Sequence, residues 1–405
     1  KGSFGVVWEA RESAAGTGVV DLEPLALKVS KADSPERLKA SLFEAEVLQW
    51  LTAKLQGAAV AVRVPRYISH AVGGASAGAS CGRVLLVMSK LEGQPLDQWL
   101  YGKDEQSMKA LSTSQLLDGP LPGGCWASRD LDGAAAVAFA LLEQVTPVFA
   151  DLSAFAIHRD ISSHNVLVRS SPDSGEAFAL IDFGLAVSAR DWQQEWRTSQ
   201  ICGDPRYFSP AAWLMLLHGS SHLEAQPDRR LQLQYTSRLD HVAVGILVLE
   251  VFFALWRGPD AEAGGCTVEH HWLADARAAW RAYWRGAVDI FQLFHNKGAT
   301  AVRQALGGPQ AVSQIVDRLQ ALCAALLDAA DSEPGSLAAT VLRAAAGLLD
   351  CGGSLSWEDL SRSLVEARLA GTWASGGGNA DGPDGAKAEA ACPSGAGSGE
   401  LSHGP

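Results

Sequence analysis

Asp160 and Asn165 stand together in HRDISSHN (158–165), and a second aspartate, Asp182, follows in IDFG (181–184). One carboxylate to accept a proton, plus an amide oxygen and another carboxylate to hold a divalent cation, are parts that phosphoryl transfer requires. A fixed cation must also orient the phosphates. LALK (25–28) offers Lys28 for that task, on an apolar run that would hold the ammonium in one place. FEAEVL (43–48) supplies two acidic partners, Glu44 and Glu46. These lie roughly 200° apart around a helix, so only one can face Lys28. KGSFGVV (1–7) brings Gly2 and Gly5, whose bare backbone amides suit close approach to phosphate.

Such side chains need elements to position them. Residues 6–10 and 25–30 read as short strands, with turn-forming SAAGTG at 13–18 between them. From Pro35 to about Leu55 the apolar residues recur at three and four, and Ser34 before Pro35 is an N-cap followed by proline at the first helical position. AVGGASAGASCG (71–82) reads as a small-residue loop before a strand at 83–90. Residues 101–132 read as an irregular insertion and 133–155 as a long apolar helix. Strands at 165–170 and 177–182 flank a serine-rich turn, and the chain beyond 240 is mostly helical. The segregated order, strands first and helices after, predicts an α+β fold. From 371 onward Gly, Ala, Ser and Pro dominate, which predicts a low-complexity, disordered tail over 371–405.

Composition narrows the function classes. Lys and Arg number 33 against 45 Asp and Glu, a formal charge of −12, which argues against non-specific binding to nucleic acid polymers. The cysteines at 81, 125, 202, 266, 323, 351 and 392 show no zinc-like spacing and read as reduced thiols of an intracellular, cytoplasmic protein. The opening KGSFGVVWEA lacks the apolar segment of a signal peptide. The most apolar run, Val242–Trp256, contains Glu250 and falls short of the ~20 residues of a membrane span, so it is expected to be a buried core helix.

Taken in order, these motifs resemble the signature set of the protein kinase family, over about residues 2–365. The resemblance implies a two-lobed fold in a domain spanning 1–370: a β-rich N-lobe (1–88) with one helix, a hinge (89–93) and a helical C-lobe (94–370). It implies ATP and Mg2+ as cofactors. Gly2 and Gly5 would be the second and third glycines of a phosphate-covering loop whose first falls before Lys1. Asp160 would be the catalytic base, Lys28 the phosphate-orienting lysine with Glu44 as its ion-pair partner, and Asn165 and Asp182 the magnesium ligands. Val7, Ala26 and Leu167 would sandwich the adenine, with Met88 as gatekeeper, while the Ser89 carbonyl and the Leu91 amide would bond it at the hinge. His158 and Phe183 would stack with Leu48 in an internal column, and Asp240 would tether the catalytic loop. The implied substrate is a protein Ser/Thr hydroxyl. A catalytically weak pseudokinase scaffold, or a small-molecule kinase of the aminoglycoside-phosphotransferase type, stand as alternatives.

The chain also departs from that pattern. Ser162 stands where Ser/Thr kinases usually have Lys, and Asp204 where a Thr is common, so Asp204 is expected to bring a new carboxylate toward the site. Ala211 replaces the glutamate of Ala-Pro-Glu, and Ser354 aligns with that glutamate's usual arginine partner. Losing both avoids leaving one buried charge uncompensated. Arg159 invites a phosphorylated partner, with Ser188, Thr198 and Ser199 as candidates.

Overall fold

Four runs in the first part of the chain pair into an antiparallel sheet of order β1-β2-β4-β3. They are β1 (Gly5–Ala10), β2 (Leu25–Ala32), β3 (Tyr67–Gly73) and β4 (Gly82–Ser89). The structure is a computed structural model that describes residues 5–10, 23–57, 62–73, 82–102, 130–171, 175–226, 229–256, 268–306, 309–350 and 352–371. Residues 71–73, expected in a loop, continue β3, because backbone pairing with Val84 and Arg83 on β4 outweighs the small side chains. Period-2 alternation places Ala26, Lys28 and Ser30 on the buried face of β2. Val7 is register partner of Lys28, and Met88 of Ala26, so all four side chains share one face.

Helix α1 (Pro35–Lys54) lies against this sheet. Ser34 caps it by accepting from the Arg37 amide, and Pro35 supplies a first-turn residue that needs no donor. Its inner face carries Glu44, Ala45, Val47, Leu48 and Leu51. A buried glutamate in that apolar stripe requires a partner, and α1 exists in this position to deliver it.

The remainder is helical with short strands. After β5 (Gln94–Pro95) come α2 (Leu96–Tyr101), α3 (Leu131–Leu152), β6 (Ala156–Ile157), β7 (Val166–Ser171), β8 (Gly175–Leu180) and β9 (Val187–Ser188). Helix α4 (Ala189–Glu195), a 3-10 turn (Pro205–Tyr207), α5 (Pro210–His218), α6 (Ser220–Glu224), α7 (Arg230–Ser237) and α8 (Leu239–Leu255) follow. A second 3-10 segment (Val268–Leu273) leads into α9 (Ala274–Leu306), α10 (Pro309–Ser332), α11 (Leu337–Leu349) and α12 (Trp357–Ala370). Strands β5, β7 and β8 form one small sheet, and β6 pairs with β9.

Helix α8 is apolar nearly all round and packs against α3 and α11, as a core helix must. Helix α3 is long and apolar enough, by length and composition alone, to cross a membrane. Its packing against α8, α11, α12 and β8 makes it a second core helix, which starts and ends two to three residues earlier than the sequence placed it. Lys1–Gly371 gather into a single unit. The expected insertion (101–132) and tail (371–405) fall almost wholly outside the described residues, as do Gly2 and five of the seven cysteines.

Candidate active site

Lys28 sets the geometry. Its Nζ donates to Glu44 Oε1 at 2.6 Å and to Asp182 Oδ1 at 2.7 Å. The lysine and Glu44 are almost fully buried, whereas the Asp182 side chain is 43% exposed. Burial works to lower the Lys28 pKa, but the charges and hydrogen bonds of Glu44 and Asp182 outweigh it and raise it above the ordinary lysine range. The same ammonium overcomes the burial of Asp182 and holds that carboxyl below its usual value. Glu46, on the other side of α1, is exposed. The choice between the two glutamates is therefore Glu44.

Gly184 completes this corner. Its amide donates to Asp182 Oδ1 at 3.1 Å. A Cβ at position 184 would lie 3.0 Å from Asp182 Oδ1 and 3.1 Å from Lys28 Nζ, so a side chain there would crowd both. Oδ1 thus serves two donors inside the protein and leaves Oδ2 for something outside it.

Asp160 and Asn165 form the second corner. Asn165 Nδ2 donates to the Asp160 carbonyl at 2.8 Å and to Asp160 Oδ2 at 2.9 Å. With both amide protons committed to Asp160, the Asn165 side-chain oxygen is the atom left to act as a ligand. Burial, then the charges of Asp182 and Asp204, push the Asp160 carboxyl up to about 7, against the Asn165 amide and the Asp204 backbone N–H.

Two backbone conformations mark the same place. Arg159 (φ 65°) and Asp182 (φ 62°) are the non-glycine residues with positive φ among those described. Such conformations cost about 1–2 kcal/mol each and persist only where surroundings hold them. Asp240, at the start of α8, holds the first: its Oδ2 accepts the His158 amide at 2.7 Å and its Oδ1 the Arg159 amide at 2.9 Å. Lys28 and the Gly184 amide hold the second. His158, fully buried, contacts Phe183 at 4.9 Å between ring centroids, and Phe183 and Leu48 share one core cluster. His158 Nδ1 accepts the Asp160 amide at 3.3 Å, and burial lowers the imidazole pKa to about 4. That histidine packs and orients.

Of the residues expected around an adenine, Val7, Ala26 and Met88 share the sheet face of Lys28, Leu167 lies on β7, Ser89 ends β4 and Leu91 follows it. Ala26 is buried; Met88, Ser89, Leu91 and Leu167 are half-buried; Val7 is 58% exposed. The Ser89 and Lys90 amides donate to the Arg66 and Pro24 carbonyls. The Leu91 amide enters no such backbone bond among the described residues.

The departures from the pattern have partners of their own. Asp204 does come toward the site, where its charge helps to raise the Asp160 carboxyl, but it is not free: Arg206, itself buried, grips both its oxygens, because the turn Pro205–Tyr207 folds one residue back over the other. Arg159 already has partners within the chain. Its Nε donates to the Leu185 carbonyl at 2.9 Å, its Nη1 lies 3.5 Å from the Gln200 carbonyl, and its guanidinium stands 5.1 Å over the Trp192 ring. Ser188 already caps α4. The junction at Ala211 has its own solution, with the Ala211 amide donating to the buried Gln234 side chain. The loop around Ser354 is held by Arg238, which donates to the Gly347, Gly353 and Leu355 carbonyls. Ser162 is buried and offers no exposed donor in place of a lysine.

A further group was not anticipated. Glu250, 1% exposed, accepts from the hydroxyls of Tyr101 at 3.0 Å and Tyr207. Tyr207 in turn bonds the Ser163 hydroxyl at 2.8 Å and accepts the Ser163 amide at 3.1 Å. This buried network joins α8, α2, the loop holding Asp160 and the turn after Asp204. Its one sequence signal was a single glutamate in an otherwise apolar helix, since buried carboxylates need hydrogen-bond partners.

No family model matches this chain, and no curated protein matches it.

Proposed function

We propose that this chain is a protein kinase, of the two-lobed fold that its motifs resemble, transferring the γ-phosphoryl group of Mg·ATP to a protein Ser/Thr hydroxyl. The observation that carries the reading is the convergence of Lys28, Glu44, Asp182 and the Asp160–Asn165 pair from four separate segments, beside two strained backbones. Random placement of charged residues does not spend strain in this way.

The residues fit the group they would bind. Asp182 keeps one carboxylate oxygen outward and Asn165 its amide oxygen, and magnesium bound with a nucleotide needs only one or two protein ligands besides phosphate and water. When bound, the ion would neutralise charge on the phosphate oxygens.

In this reading Lys28, fixed by Glu44, orients the α- and β-phosphates. Asp160 accepts the proton of the incoming hydroxyl through the carboxylate oxygen that Asn165 does not hold. Asp240 keeps the Asp160 loop in its strained form. Val7, Ala26, Met88 and Leu167 provide the apolar faces for adenine, and the Ser89 carbonyl and Leu91 amide its hydrogen bonds.

Transfer of label from [γ-32P]ATP to a mixed protein substrate, with Asp160→Asn alongside, tests the proposal. Label that appears with the native chain and is lost in the variant supports it. Thermal-shift evidence of ATP binding without transfer would replace it by the scaffold reading, and transfer to aminoglycosides but not to proteins by the small-molecule one.

A further inference from the structure

Ser163 lies between Asp160 and Asn165, is fully buried, and has every polar atom held. Its amide donates to the Tyr207 hydroxyl at 3.1 Å, its own hydroxyl meets the same oxygen at 2.8 Å, and its carbonyl accepts the Asp97 amide at 3.0 Å. On either side, the Asn165 amide donates to the Ser162 carbonyl at 3.1 Å, and His164 Nδ1 lies 3.2 Å from the Asp97 carboxylate.

The Tyr207 hydroxyl is the centre of this arrangement. A phenol has one proton and two lone pairs. The proton goes to Glu250 Oε2, which leaves both lone pairs for Ser163: one takes the amide, the other the hydroxyl proton. Glu250 thus makes the phenol oxygen a double acceptor toward the loop. The Tyr101 hydroxyl donates to the other Glu250 oxygen at 3.0 Å, and among the described residues it makes no hydrogen bond to the loop. Tyr207 itself comes from a different segment, the 3-10 turn capped by Asp204, with its ring set edge-on against Trp284 at 5.9 Å.

We propose that Tyr207 is a positioning residue for phosphoryl transfer: through Ser163 it locks the turn between Asp160 and Asn165, with Glu250 orienting its hydroxyl. The chemistry in this inference rests on the kinase reading; the geometry does not. Asn165 commits both amide protons to Asp160, so a shift of residues 162–164 moves the base and the proposed magnesium ligand together. Asp240 fixes the start of the loop at the strained Arg159, and Tyr207 is the corresponding hold toward its end. Without the phenol oxygen, the Ser163 amide would be buried with no acceptor, and the turn would move to find one. Misplacing a reacting group by about 1 Å costs up to about a hundredfold in rate. Lys28, Glu44 and the adenine-facing residues lie on other segments, so ATP binding should not change.

The test compares Tyr207→Phe with Tyr101→Phe, since each removes one hydroxyl from Glu250. Two quantities are measured in the full chain: steady-state transfer from [γ-32P]ATP, and amide hydrogen exchange over residues 158–165. Tyr207→Phe should lower kcat about ten- to a hundredfold at unchanged KM for ATP and speed exchange of the Ser163 amide. Tyr101→Phe should keep kcat within about twofold of native and leave that exchange as it was. Ser163→Ala, which keeps the amide bond, should fall between the two. Equal loss of kcat in both tyrosine variants, or unchanged exchange over 158–165 in Tyr207→Phe, would overturn the proposal, because the network would then only stabilise the fold. Should Tyr207→Phe prove unfolded by circular dichroism, Ser163→Ala decides, and a native kcat there overturns the proposal in the same way. If the native chain transfers no label, the kinase reading fails, and the exchange comparison alone decides whether Tyr207 locks the loop.

Discussion

Replacing Glu250 by Gln should change how stability depends on pH, in a direction and by an amount that the structure specifies. Burial pushes the Glu250 carboxyl up to about 7 from 4.5, more than the Arg206 charge and the Tyr207 and Tyr101 hydroxyls draw it down. The native state therefore keeps this proton through the window from pH 4.5 to about 7, where the unfolded chain has released it. Fewer protons on the unfolded state means that stability falls as pH rises, so the group's favourable contribution is complete below 4.5 and lost above about 7. The whole interval corresponds to about 3 kcal/mol at 1.36 kcal/mol per pH unit. Measurements at pH 5 and pH 8 would sample about 2–3 kcal/mol of it. Gln keeps the volume and one acceptor oxygen for a tyrosine hydroxyl but cannot ionise. Urea unfolding followed by tryptophan fluorescence gives both stabilities. Asp240, pushed up to about 6 by burial, and His241, lowered to about 3, titrate in both proteins and cancel in the difference. The variant should gain about 2–3 kcal/mol on the native chain between the two pH values. Parallel stability curves would refute the reasoning, because they would mean that Glu250 ionises as freely in the folded protein as in the unfolded one.

Three further outcomes follow from the same contacts. Glu44→Gln breaks the most buried ion pair while Asp182 still holds Lys28, so it should cost up to about 3 kcal/mol in chemical unfolding and raise the KM for ATP; unchanged values in both would remove Glu44 from the site. Gly203 has φ 98°, and a Cβ there would sit 2.4 Å from the Arg159 carbonyl and 3.4 Å from Asp160 Oδ1. Gly203→Ala should therefore lower stability by about 1–3 kcal/mol and displace the Asp160 loop, read as loss of label transfer; full activity would contradict the packing. Ala211→Glu introduces a carboxylate at a fully buried position whose neighbour is the neutral Gln234 amide, and should lower stability by about 3–5 kcal/mol; an unchanged melting temperature would show that a cation is within reach after all.

The sequence alone determined what depends on neighbours along the chain. The Ser34-Pro35 start of α1, the apolar period of its inner face, and the grouping of Asp160 with Asn165 in one loop are local. Backbone geometry over a few residues dictates them, whatever the rest of the molecule does. The α+β character was legible for the same reason, as strand-like runs preceded helical ones. Tertiary structure decided everything that turns on which side chains meet across long separations. It chose Glu44 over Glu46, because only one face of α1 meets β2. It gave Lys28 a second carboxylate, Asp182, from a turn that local pattern placed on a strand. It paired Asp204 with Arg206, gave Arg159 backbone carbonyls and an indole face, and turned a lone glutamate in α8 into the hub of a buried hydrogen-bond network. Charge and hydrogen-bond partners are properties of proximity, and for these residues the fold creates the proximity.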